Sequence, residues 1–234
     1  MVELRKEGDV FVATMNDGEN RFNPTSVAAW NAVLDEVEAA AAAEPDALCA
    51  LVTTGTGKFF SNGLDLGWLG EAFQDPDIAD PMAMVTDVQR MWARMMSLPV
   101  PTIAALNGHA FAGGGMFALA HDHVLMREDR GFWCVNELLL RMRFTPGMQA
   151  LLSGRLPVQT ARKAILTAHR FNGPEALAGG IADSLHDESG LLPAAIELAQ
   201  TLSPTAHKTL NILKEDLFAH ALACLRSAEV PDAF

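Results

Sequence analysis

Two loops that contain glycine each follow a short apolar stretch, and together they could stabilise an anionic oxygen. The first loop is 59–66, and the second contains the glycine run 113–115, which follows the stretch 102–106. Where glycine lacks a side chain, a ligand can approach the main-chain N–H groups, and a helix that begins there adds a positive partial charge. Two such N–H groups aimed at one point indicate chemistry on a carbonyl group.

The composition limits the class of protein that carries these loops. The chain has 234 residues, half of them hydrophobic, and a formal net charge of −12. This length permits one large domain or a domain with an appendage, and it allows a sizeable core. The negative charge opposes nonspecific binding to nucleic acid and to anionic membranes. We therefore predict no nucleic-acid and no membrane partner.

The sequence also indicates a compartment. No apolar run approaches the ~20 residues that cross a bilayer, and the N-terminus has no apolar signal core. The three cysteines are sparse and lack metal-ligand spacing, which is typical of a reducing compartment. The prediction is a cytoplasmic protein without a metal site.

The hydrophobic pattern predicts alternating strands and helices up to about residue 170. Strands are predicted at 9–15, 48–54, 102–106, 122–126 and 132–139. Helices are predicted from Asn23-Pro24 onwards, at 82–98 and at 116–120, with a loop over 67–81. This order favours an α/β fold with parallel strands and right-handed crossovers.

The pattern changes beyond Pro146, where helices predominate and a weak strand signal lies near Ile181. Helices are predicted at 159–168, 174–179, 191–202 and 204–226. We therefore divide the chain into an α/β core, 1–170, and a helical C-terminal region, 171–234. A region of the latter kind covers a pocket as a lid or makes subunit contacts.

Three segments resemble the crotonase family, the enoyl-CoA hydratases and isomerases. They are 60–66, 107–122 and 173–183. The strings 59–63 and 122–132 are similar to the plant-type peroxisomal Δ3,Δ2-enoyl-CoA isomerases of that family. The resemblance implies a crotonase-like spiral of ββα units and an acyl-CoA thioester substrate. It also implies a homotrimer, with pairing into a hexamer left open, and no cofactor beyond the coenzyme A of the substrate.

The resemblance assigns roles to residues of both loops. The backbone N–H groups of Asn62 and Gly113 would hold the thioester oxygen, and Gly114 replaces Gly113 if the register shifts by one. Asp65 either contacts substrate or caps its loop. The residues predicted to contact substrate are Ser61, Gly63, Leu64, Asp65, Gly114, Met116 and Asn136.

One glutamate is predicted to carry the proton transfer. Hydratases of the family use two glutamates, and the resemblance places Met116 and Asn136 at their positions. A thioether cannot take a proton from water. Glu137 follows directly, at the spacing that resembles the plant-type isomerases. An apolar pocket would raise its pKa and make it a better base. We expect that pocket from Val135, Leu138, Leu139 and Met116.

Each of these features has a structural alternative. The glycine run could serve close packing or a dinucleotide, but it lacks the spacing of a dinucleotide-binding loop. Glu137 could be a surface glutamate paired with Arg141 or Arg143. The histidines 109, 121 and 123 are expected to be structural rather than a metal or base cluster. An acyl tunnel or plain core is predicted from Trp68, Phe73, Met84, Trp92 and Met96.

Three functions remain open from the sequence. The first is an enoyl-CoA isomerase with one glutamate. The second is a relative that hydrates, hydrolyses or decarboxylates a thioester, for which Asn136 and Glu19 are weak acid–base candidates. The third is a non-catalytic acyl-CoA-binding protein. Likeness of fold alone does not separate them.

Overall fold

The structure is a computed structural model that describes residues 1–43, 48–75, 77–78 and 80–230. In chain order the elements are β1 (Val2–Glu7), β2 (Val10–Met15), α1 (Pro24–Ala42), β3 (Ala50–Gly55), β4 (Phe59–Ser61), α2 (Leu66–Gln74), α3 (Pro81–Ser97), β5 (Thr102–Leu106), β6 (His109–Phe111), α4 (Gly113–Leu119), β7 (His123–Arg127), β8 (Trp133–Cys134), α5 (Glu137–Leu140), α6 (Pro146–Arg155), α7 (Val158–Thr167), α8 (Gly173–Ala178), β9 (Ser184–His186), α9 (Leu191–Leu202), a 3-10 turn (Ser203–Thr205), α10 (Lys208–Leu217) and α11 (Ala219–Ser227). Across these described ranges, no helix has both the length and the hydropathy that crossing a membrane requires.

The strands form two sheets that wind together. The larger sheet has the order β1-β2-β3-β5-β7-β9, and the smaller has the order β4-β6-β8. All neighbouring strands are parallel except β1 and β2. Three successive units, β3-β4-α2, β5-β6-α4 and β7-β8-α5, each place one strand in either sheet before a helix. This confirms the predicted α/β spiral of ββα units.

The central strands of the larger sheet are buried on both faces, and their side chains alternate between the two faces with period two. In β2, Phe11 and Ala13 contribute to the main core with α1, α3 and α4. Val10 and Val12 face the other way and belong to a second cluster, which α9 covers through Ala195. Strands with both faces covered read as continuous apolar runs, which is why the central strands were predictable.

The predicted loop over 67–81 is wrong in its first half, where α2 lies. The carboxylate of Asp65 accepts a hydrogen bond of 3.2 Å from the N–H of Trp68 and so caps the helix. The helix ends at Gln74, one residue before the Asp75-Pro76-Asp77 breaker. Pro76 itself lies outside the described residues.

The predicted strand over 132–139 is also wrong beyond Cys134. Asn136 leaves the extended conformation, with φ −104° and ψ 18°, and Glu137–Leu140 forms the short helix α5. A short apolar run fits a buried strand and a helix equally well, so its period could not decide. The consequence is that Glu137 begins a helix instead of lying within a strand.

The C-terminal region is more mixed than predicted. β9 pairs with β7 through Met126 and Leu185, so the larger sheet continues beyond residue 170. The long helix predicted over 204–226 is divided at Phe218 into α10 and α11. The prediction over 191–202 is confirmed by α9. The division of the chain at residue 170 stays a prediction.

Candidate active site

A cavity of about 180 Å³ lies where the loop after β4, the start of α4 and the start of α5 meet. It brings together five of the residues predicted from the sequence: Asn62, Leu64, Gly113, Asn136 and Glu137. The rest of its lining is Arg21, Leu66, Ala112, Leu140, Met142 and Met148. The wall is therefore mostly apolar, with one carboxyl group and a few polar groups.

Glu137 lies in this cavity with one of its two carboxyl oxygens buried and unpaired among the described residues. Glu137 is 7% exposed, and its Oε2 has no hydrogen-bond partner within the described part of the chain. Burial raises the pKa of the carboxyl from 4.5 to about 7 because desolvation penalises the charged form. The alternative of an ion pair with Arg141 or Arg143 is not seen among the described residues. The group is poised to gain or lose a proton near neutral pH.

None of the four apolar residues predicted to surround Glu137 lines the cavity. Leu138 and Leu139 are 49% and 65% exposed because α5 turns them outward, so their assignment to the pocket is wrong. Val135 and Met116 are buried in the main core and do not line the cavity. The aliphatic wall comes instead from residues 64, 66, 140, 142 and 148.

Helix α4 begins at the cavity wall with Gly113. The N–H of a first helical residue has no partner within the helix. Ala112 before it has φ 49° and ψ −125°, a conformation that a non-glycine residue adopts at a cost. A Cβ on Gly63, whose φ is +78°, would lie 2.8 Å from the backbone N of Gly113. The two glycine-containing loops are therefore in direct contact.

The backbone N–H of Asn62, predicted to be the first oxyanion donor, is already engaged. It donates to the carbonyl of Glu19 at 2.9 Å, and the N–H of Gly63 donates to Ser61 Oγ at 3.2 Å. Leu64 lines the cavity, and its N–H has no acceptor among the described residues. The free amide of this loop is thus two residues later than predicted, because Glu19 ties down the start of the loop.

Several residues predicted to contact substrate instead hold the loops in place. Ser61 is buried and donates from Oγ to the carbonyl of Asn20 at 2.7 Å. A Cβ on Gly114 would lie 2.2 Å from the carbonyl oxygen of Ser61, so α4 packs directly on β4. Asp65 caps α2 and accepts from Asn23 Nδ2 at 3.3 Å. Neither these residues nor Gly63 are among those that line the cavity.

The predicted acyl tunnel is not formed by the residues proposed for it. Trp92, Met84 and Met96 are buried in the main core, whereas Phe73 is 61% exposed. None of them lines the cavity, and Trp68 lines a separate surface cleft. The alternative prediction of plain core is confirmed for Met84, Trp92 and Met96 and is wrong for Phe73.

The remaining polar residues around the cavity have defined roles. Sequence reasoning missed Arg21, which lines the cavity and donates from Nε to Glu19 at 2.9 Å. Asn62 Nδ2 also donates to Glu19, at 2.8 Å, and these hydrogen bonds lower the pKa of Glu19. Glu19 therefore stays ionised and is a poor general base. Asn136 Oδ1 is buried with no partner in the described ranges.

His121 and His109 pack against neighbouring residues, and His123 Nδ1 lies 3.6 Å from Asp183 Oδ2. His121 Nε2 contacts Thr53 Oγ1 at 2.8 Å and Nδ1 contacts the carbonyl of Phe117 at 2.9 Å, and burial lowers its pKa to about 4. His109 stacks against Phe132. Among the residues that the structure describes, no three His, Cys, Asp or Glu side chains are grouped to hold a metal ion.

Comparison with known proteins identifies the class. The family model of the enoyl-CoA hydratases/isomerases matches residues 5–229, so the chain belongs to that family and is an enzyme of it. It is 36% identical over 208 residues to the peroxisomal enoyl-CoA delta isomerase 2 of Arabidopsis thaliana, covering 87% of this chain and 85% of the relative. It is 38% identical over 207 residues to enoyl-CoA delta isomerase 3 of the same plant, with the same shares covered.

Solved structures are similar over nearly the whole chain. Two structures of one Mycobacterium tuberculosis protein, described as an enoyl-CoA isomerase and as a probable enoyl-CoA hydratase, superpose with a TM-score of 0.84 at 26% identity. They cover 97% of this chain and 95% and 92% of the other chains. An enoyl-CoA hydratase of Mycobacterium marinum gives the same TM-score at 27% identity, covering 97% of this chain and 95% of the other. These neighbours carry the crotonase fold, which confirms the predicted fold class.

Proposed function

We propose that this enzyme is a Δ3,Δ2-enoyl-CoA isomerase that moves a double bond into conjugation with the thioester. The observation that carries the proposal is the single carboxyl of Glu137, buried and unpaired among the described residues in the cavity that Leu64 and Gly113 also line. Its pKa of about 7 suits a group that takes up and gives back one proton.

The proposed reaction begins with the thioester oxygen between the N–H groups of Leu64 and Gly113. These donors polarise the carbonyl, so the proton on the α-carbon becomes acidic. The Glu137 carboxylate removes that proton, and the electron pair of the broken C–H bond passes into the thioester as an enolate. Losing one such oxyanion donor typically raises the barrier by ~3–4 kcal/mol.

The second half of the reaction returns the proton. Protonated Glu137 donates to the γ-carbon, the enolate collapses, and the double bond forms between the α- and β-carbons. The apolar wall formed by residues such as Leu140 and Met148 supports this step, because it keeps competing water away from the carboxyl. The substrate enters as a coenzyme A thioester, and no further cofactor is needed.

The alternatives fit the cavity less well. Hydration requires a second group to activate water, and the family resemblance places Met116, a buried core residue, where hydratases carry their first glutamate. Hydrolysis or decarboxylation requires another acid or base, and Glu19 is held ionised by its hydrogen bonds. A purely binding protein would not need an unpaired buried carboxyl, which is costly to keep.

Purified protein incubated with 3-hexenoyl-CoA tests the proposal. We expect the absorbance of the conjugated 2-enoyl thioester to rise, and 2-hexenoyl-CoA to remain unhydrated in a parallel reaction. Hydration of 2-hexenoyl-CoA would contradict the single-carboxylate mechanism. Binding of either thioester without any reaction would place the protein in the non-catalytic class.

A further inference from the structure

A second apolar groove lies directly beside the catalytic cavity. Its volume is about 450 Å³, and its apolar lining consists of Leu138, Met142, Phe144, Pro146, Ile165 and Leu166. Met142 lines both this groove and the catalytic cavity. The two spaces therefore adjoin at this residue.

Met142, where the two spaces adjoin, has a flexible side chain and a hydrogen-bonded backbone N–H. Arg141 adopts a left-handed conformation with φ 58° and ends α5, and the N–H of Met142 donates to the carbonyl of Glu137 at 3.0 Å. Methionine is unbranched and rotates about three bonds, so it yields to a neighbour more easily than other apolar residues. Its backbone tie to Glu137 keeps it next to the reacting carbons.

The groove exposes more apolar surface than an isolated side chain would. Leu138 is 49% exposed and Leu166 is 65% exposed, on two different helices that face the same space. An apolar patch of this kind marks a site for an apolar partner. The groove adjoins the cavity proposed to bind the thioester. An acyl chain too long for the cavity would therefore extend into the groove.

We propose that the groove between α5, α6 and α7 holds the distal part of the acyl chain. The chain would run from the catalytic cavity into the groove past the side chain of Met142. This rests on the proposed function and extends it to the substrate class: the enzyme prefers thioesters of long-chain acids. Each methylene buried contributes about 0.8 kcal/mol, or roughly fourfold in affinity. A twelve-carbon chain would gain from the groove, whereas a six-carbon chain would end within the cavity.

The test is the ratio of kcat/KM for 3-dodecenoyl-CoA to that for 3-hexenoyl-CoA. Leu166→Asp places a charge in the groove at an exposed position, where folding tolerates it, and should lower this ratio at least tenfold. Val158→Asp is the matched control: Val158 is 78% exposed on the same helix and outside the groove, so its ratio should equal that of the wild type. An unchanged ratio in Leu166→Asp would overturn the inference.

A binding measurement separates this inference from the proposed reaction. Calorimetry with the saturated dodecanoyl-CoA and hexanoyl-CoA needs no turnover, and Leu166→Asp should weaken the longer ligand at least tenfold more than the shorter. If the wild type binds both ligands equally well, the groove does not hold the chain, even if hexenoyl-CoA is isomerised. If binding follows the groove but no isomerisation occurs, the proposed function fails and the groove assignment stands.

A change of oligomeric state would also decide against the inference. If light scattering shows that Leu166→Asp alters the molar mass of the protein and Val158→Asp does not, the groove is a contact between copies of this chain. The acyl chain would then have no access to it in the assembly.

Discussion

At the level of single residues, burying Glu137 carries a cost that depends on pH. A pKa raised from 4.5 to about 7 means that the folded protein holds the proton more tightly than the unfolded chain does. Below pH 4.5 the group is protonated in both states and its ionisation costs nothing. Above about pH 7 the folded state must bury a charge, which costs roughly 3 kcal/mol.

Glu137→Gln should therefore change how stability depends on pH. We expect the free energy of unfolding of the variant, relative to the wild type, to increase between pH 4.5 and pH 8 by up to about 3 kcal/mol. Urea denaturation at several pH values measures this, and the change with pH matters more than the absolute difference because glutamine also leaves a buried polar group. A difference that stays constant with pH would show that Glu137 is not desolvated.

At the element scale, the position of α4 on β4 creates the contact between the two loops. A Cβ on Gly114 would lie 2.2 Å from a backbone oxygen, which no side-chain movement relieves. Gly114→Ala should destabilise the protein by roughly 3 kcal/mol or more. Thermal or urea denaturation would measure the loss.

Gly154 provides the matched control for this substitution. It lies in α6, and an added Cβ would meet nothing within 4 Å. Gly154→Ala should stabilise the protein by about 0.5–1 kcal/mol, because alanine restricts the unfolded chain and favours helix. Similar effects for the two alanine variants would contradict the packing of α4 on β4.

The sequence predicted strands that are buried along their whole length. It missed short strands and one helix that form only through contacts with neighbouring segments. The central strand Thr102–Leu106 was predicted at its observed bounds because both its faces are buried. β4 and β6 have three residues each, too few to show a period, and they exist because they pair with each other. Helix α2 depends on a cap from Asp65 that periodicity does not register.

The site was predictable in its chemistry and less so in its register. Glu137 and Gly113 came from the sequence and lie at one cavity. The free amide lies at Leu64 instead of Asn62 because a carbonyl 43 residues away, that of Glu19, engages the earlier N–H. A contact between segments this distant in the chain leaves no local sequence pattern. The position of Arg21 at the cavity could not be predicted for the same reason.

At the scale of the whole molecule, the C-terminal helices are joined to the sheet by a buried charge. Lys214 of α10 is 4% exposed, its Nζ lies 2.6 Å from Asp122 Oδ2, and it donates to the carbonyl of Val100 at 2.8 Å. Removing one partner of a buried ion pair leaves the other charge uncompensated, which is costly. The pair therefore favours the position of α10 against the starts of β5 and β7.

The cytoplasmic location and the homotrimer stay predictions.

Glu137 is proposed to transfer the proton in a cavity that binds the thioester without its help. The decisive measurement is the turnover of 3-hexenoyl-CoA by Glu137→Gln, with binding of hexanoyl-CoA measured on the same protein. We expect at least about a thousandfold loss of kcat with a dissociation constant within a few-fold of the wild type, and a wild-type kcat/KM that rises with pH through about 7. Turnover by the variant at the wild-type rate would show that Glu137 does not transfer the proton.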